Sequence, residues 1–66
     1  MEFTKDELIE ARRQIDSVLH KLRETLGTLQ AKEHPERYRS QITLAERRIR
    51  AFELASRLIE RELARL

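Results

Sequence analysis

The stretch Ala31-Lys32-Glu33-His34-Pro35-Glu36 decides the fold of this 66-residue chain. Proline has no backbone N–H to give to a helix interior, and it pushes the preceding residue, His34, out of the helical region. The same proline is well suited to be the first residue of a helix. Long helical patterns lie on both sides of the break, so the sequence predicts one helix over about 5–32 and a second over about 35–65. A connection this short makes the two helices antiparallel neighbours. Each is about 30 residues, roughly 45 Å at about 1.5 Å per residue, so they match along the whole hairpin.

Upstream of the break, the first helix carries a full start signal. Thr4 and Glu7 occupy the two positions of a capping box, Phe3 and Leu8 those of a hydrophobic staple. Asp6 and Glu7 face the positive end of the helix dipole. Leu8, Ile15, Leu22 and Leu29 then recur at heptad spacing, joined by Ala11, Val18, Thr25, Leu19 and Leu26. The resulting stripe is roughly 120° wide, the width of one buried face. Gly27 falls on the opposite side, where it costs helix propensity without opening the core.

Downstream, Tyr38, Ile42, Ala45, Ile49, Phe52, Ser56, Ile59, Leu63 and Leu66 form a coiled-coil-like seam. A second row, Leu44, Ala51, Ala55 and Leu58, runs beside it and widens the apolar face to about 180°. One partner helix cannot cover that width. The expectation is an all-α protein: an antiparallel two-helix hairpin, one domain over 1–66, that dimerises into a four-helix bundle with its second helices nearest the dimer axis. The expected dimer interface is Leu44, Ala51, Phe52, Ala55, Leu58 and Ile59, with the two alanines allowing close approach of helix axes. This pattern does not fix which way round the two hairpins pair.

Size and composition point the same way. A chain this short buries little of its surface, and small domains usually add disulfides, a metal or a partner. There is no cysteine, which removes disulfides and thiolate metal knuckles. No apolar run approaches the roughly 18 residues of a membrane span. The segment Met1-Glu2-Phe3-Thr4-Lys5-Asp6-Glu7 lacks the basic-then-apolar order of a signal peptide. A soluble, cytoplasmic protein without a membrane partner is therefore expected. One glycine, one proline, no tryptophan and 39% charged residues is the composition of long helices.

Few residues suggest chemistry. Asp16, His20 and Glu24 follow one another at i, i+4 spacing, but they lie off the apolar stripe and read as a solvated charge row, so no metal is expected. His34 reads as a loop or N-cap residue. Ser17, Ser40 and Ser56 lie in no nucleophile elbow, and there is no phosphate loop or dinucleotide fingerprint. No catalytic group, cofactor site or metal site is expected. Ser56 interrupts the seam of the second helix, a place where a polar side chain can set register. Arginine supplies 11 of the 14 basic residues. Residues 1–33 carry six basic and seven acidic groups, net −1; residues 34–66 carry eight and five, net +3. Arg39, Arg47, Arg50, Arg57, Arg61 and Arg65 share one outward face of the second helix, and Arg forks match phosphate oxygens. Glu46→Arg50 and Glu53→Arg57 are in the favourable i, i+4 order, so partial neutralisation of this row is expected.

The segment Arg12-Arg13-Gln14-Ile15-Asp16, with Leu19 and Leu22, resembles part of the first helix of the all-helical chorismate mutases. That resemblance implies cationic and carboxylate or amide groups inside a bundle, whereas Arg12 lies at the edge of the stripe. The layout is also similar to that of a small plasmid-encoded RNA-binding hairpin that dimerises, in architecture alone. The secreted helical hairpins with Trp-x-Gly at the turn are contradicted by the absence of tryptophan. The leading expectation is a noncatalytic protein acting through homodimerisation and protein–protein interaction. The alternative is a small nucleic-acid-associated regulator in which Arg39, Arg47, Arg50 and Arg57 contact phosphate.

Overall fold

The computed structural model describes residues 2–66; Met1 lies outside them. Helix α1 spans Lys5–Gln30, a 3-10 turn spans Pro35–Tyr38, and helix α2 spans Arg39–Arg65. The two helices pack against each other over their length as a hairpin.

Thr4 caps α1 in extended geometry (φ −82°, ψ 155°), and its Oγ1 accepts the Glu7 N–H at 3.1 Å. Phe3 and Leu8, the two staple positions, line one groove. The helix ends two residues earlier than the hydrophobic pattern suggests. The Ala31 N–H still donates to the Gly27 carbonyl at 3.1 Å, but the Lys32 N–H reaches back only three residues, to Leu29, at 3.3 Å. The chain must leave helical geometry before Pro35, and His34 does so at φ −127°, ψ 76°. The second helix begins at Pro35 as a 3-10 turn, closed by the Arg37 N–H on the His34 carbonyl at 3.1 Å, and takes α geometry only from Arg39. Tyr38 packs at this corner with the Lys32 Nζ 5.8 Å from its ring centroid, a cation–π contact.

The hairpin is a thin rod, 48 × 16 × 15 Å, with a radius of gyration of 15.0 Å. A compact chain of this length would have a radius near ~11 Å. Consequently there is almost no interior. Among the described residues only Leu8, Leu19, Ala45 and Ser56 are buried, and no side chain is fully enclosed. Gly27 faces open space, with nothing within 4 Å of where a Cβ would stand. Neither helix is long and apolar enough to cross a membrane.

Candidate functional site

Two helices in contact leave two open sides, and here the sides differ in chemistry. The first is polar and stitched. The Ser56 Oγ donates to the Asp16 Oδ1 at 3.1 Å across the helix interface. Further toward the turn, the Arg23 Nη2 donates to the Glu53 Oε2 at 2.9 Å, an ion pair joining the same two helices. Leu19, Arg57 and Glu60 complete a shallow groove of about 230 Å³ along this side.

The sequence pattern missed both bridges. It placed Asp16 in a row with His20 and Glu24, whereas Asp16 turns to α2; only His20 and Glu24 stay together, at 2.8 Å. His34 pairs with Glu36 at 3.3 Å and makes no side-chain cap. The described residues contain no group of three His, Asp or Glu side chains placed to hold a metal ion. Ser17 and Ser40 are exposed on their helices. A signal was available: Asp16 and Arg23 are one heptad apart on one edge of α1, and Glu53 and Ser56 stand at i, i+3 on α2.

The opposite side is apolar and open. At the end of the hairpin away from the turn, Phe3, Leu8 and Ala11 of the first arm face Leu58 and Ile59 of the second across a groove of about 420 Å³, with Glu7 and Glu62 also lining it. At about 100° per residue, Val18, Leu22 and Leu29 continue this strip along α1, and Ala55, Ala51 and Leu44 continue it along α2. Leu44, Leu58 and Val18 are 47%, 59% and 39% exposed. Ala51 is exposed as well, while Phe52, Ala55 and Ile59, nearer the contact between the helices, are half-buried. Thus the six residues expected at a dimer interface divide into three exposed and three half-buried ones. Helix α1 adds apolar residues to the same strip, a contribution that the pattern of each helix taken alone did not reveal.

The arginine face lies on the outer surface of α2, with Arg57 at its edge also lining the polar groove. Arg39, Arg47, Arg50, Arg57, Arg61 and Arg65 are all exposed. The expected Glu53→Arg57 pair is replaced by the Arg23–Glu53 bridge. Glu46 forms no ion pair with Arg50 either: among the described residues only Arg65 of this row meets a carboxylate, that of Glu62 at 3.7 Å. The row is therefore less neutralised than i, i+4 spacing implies. Leu54, 56% exposed, sits in its midst and shares a small groove with Arg50, Glu53 and Arg57. Arg12 is half-buried at the edge of the contact between the helices, and Ser56 is the one buried polar residue among those described. Compared with models of protein families, with curated proteins and with solved structures, the chain matches none.

Proposed function

We propose that this chain is a noncatalytic helical hairpin whose functional unit is a homodimer, a four-helix bundle closed over the apolar side of each hairpin, and that it acts through protein–protein interaction. One observation carries the reading: a strip with Leu58, Leu44 and Val18 exposed runs the length of a rod that has almost no interior of its own. A side of roughly 48 × 16 Å gives about 770 Å² per copy, which places the pair near the ~1,600 Å² of a standard stable interface. The exposed leucines supply the driving force, since apolar surface leaving water contributes about 25 cal/mol per Å² before the costs of association. Sedimentation equilibrium at micromolar concentration is the test. A mass of two chains is expected, and a monomeric mass ends the reading.

A second reading is favoured by a separate observation, the lack of carboxylate partners along the Arg39, Arg47, Arg50 and Arg57 face. On this reading the dimer carries the row twice and binds nucleic-acid phosphate. Binding to mixed-sequence RNA and DNA across a salt series tests it. Micromolar affinity that falls steeply with salt is the expected result, and no binding at low salt removes this reading. If the row contacts phosphate, truncating Arg39, Arg47 and Arg50 to Ala weakens binding to all sequences alike.

A further inference from the structure

The apolar strip is interrupted by charge at only a few places, and these lie at different heights along the rod. On α2 the strip follows the series Leu44, Arg48, Ala51, Ala55, Leu58, Glu62, whose spacings of four, three, four, three and four are those of a heptad seam. Arg48 lies about 14 Å from the turn end of α2 and Glu62 about 35 Å from it, at about 1.5 Å per residue. Glu7 lines the same groove as Glu62, so the end away from the turn carries two carboxylates. Arg48 is exposed and meets no carboxylate of its own chain among the described residues, while Glu62 is half-buried with only the 3.7 Å contact to Arg65.

Resting on the dimer proposed above, we infer that a second copy of this chain covers the strip in antiparallel orientation, its turn end lying over the open end of the first, with Arg48 of each copy paired to Glu62 and Glu7 of the other. Two ways of closing the bundle bury the strip of each hairpin. A two-fold axis along the rod sets Arg48 level with Arg48 and the Glu7/Glu62 end level with its own copy, like charge beside like charge at both levels. A two-fold axis across the rod, passing between Ala51 and Ala55, puts the small residues where the α2 axes cross. It brings Arg48 to about 6 Å, measured along the rod, from Glu62 of the second copy, a gap that an arginine side chain spans. The charges thus serve chiefly to choose between two otherwise similar apolar pairings.

The test combines a distance and a charge exchange. The chain contains no cysteine, so Glu33→Cys, exposed in the turn itself, takes a single nitroxide label. In a rod 48 Å long, antiparallel pairing separates the two labels by more than about 35 Å, whereas parallel pairing holds them within about 25 Å. Arg48→Glu and Glu62→Arg are each expected to weaken association about tenfold, and the double exchange is expected to restore most of it. Circular dichroism checks that each variant stays helical. A short label distance overturns the orientation while leaving the dimer standing. Association unchanged by either single exchange overturns the role of the charges, and a monomeric wild-type mass overturns the dimer and this inference together.

Discussion

The two open sides of this hairpin are built from the same two helices, yet one is tied and the other is bare. On the polar side Ser56 reaches Asp16 and Arg23 reaches Glu53, four side chains that fix how α1 and α2 sit against each other. On the apolar side there is a groove between Phe3, Leu8 and Ala11 and Leu58 and Ile59. The difference separates two tasks. Directional contacts set the register within a chain, and nondirectional apolar surface is left for whatever covers it. The sharpest way to break this comparison is to place one carboxylate on each side in turn. Ala51→Glu sets a charge in the middle of the apolar strip, and burying it between chains costs several kcal/mol. We expect association to weaken by at least about a hundredfold in sedimentation equilibrium, on the order of 3 kcal/mol. Arg50→Glu makes a similar or larger change of charge on the outer face of α2, and association is expected to move by less than about threefold. Equal effects from the two variants would show that the sides do not divide the work in this way.

The Ser56–Asp16 bridge is the next contact to probe. Ser56 is 9% exposed, so its hydroxyl has lost most of its water and depends on Asp16, whereas Asp16 itself remains open to solvent. A double-mutant cycle of Ser56→Ala and Asp16→Ala, read from urea unfolding at fixed chain concentration, is expected to give a coupling of about 1 kcal/mol. The single changes should be unequal. Removing the acceptor strands a buried donor, while removing the donor returns the carboxylate to water, so Asp16→Ala is the costlier once its gain in helix propensity is allowed for. No measurable coupling would mean that the hydroxyl is satisfied within its own helix, by the carbonyl one turn back.

One turn beyond Arg23, where a side chain meets no neighbour, Gly27→Ala serves as a control. Its Cβ enters open space and its backbone is helical, so the variant gains helix propensity without touching any contact. An increase in stability of up to about 1 kcal/mol is expected in the same urea titration, with association unchanged. A loss of stability would show that this face of α1 is covered in the assembled protein.

How much of this was legible in the sequence depends on the range of the interaction. The helices, their antiparallel pairing and the turn at Pro35 follow from local rules, since the cap at Thr4 and the heptads starting at Leu8 are written within a few residues. The boundary at Gln30 was less legible because hydrophobic spacing runs on through a helix end; what stops the helix is the backbone demand of Pro35 acting on His34. The edge positions of the bridges were legible, but their pairing across the helices was not. Asp16 and Ser56 are 40 positions apart, and whether an edge residue turns inward depends on the relative rotation of two helices, which neither wheel contains alone. The same rotation places the α1 and α2 flanks on one side, and it draws Glu53 away from Arg57. The misread pairings of Asp16 and of Glu53 share this one reason.

The Arg23–Glu53 pair gives the smallest expected effect and the finest distinction. Both side chains are about half exposed, 55% and 44%, so water and salt screen the pair and its coupling should be only a few tenths of a kcal/mol. Its second consequence is larger in kind: while Glu53 is held by Arg23, Arg57 faces solvent without a carboxylate, so the polar side tunes the charge of the arginine face. Arg23→Ala frees Glu53 to take Arg57 at i, i+4. In a polyanion titration at low salt, Arg23→Ala should then weaken binding by more than removal of one remote positive charge does, with Lys5→Ala as the reference. Equal losses from the two variants would mean that the arginine face is independent of the stitched side. A greater loss at Arg23 would tie the packing of the hairpin to the charge that it offers a partner.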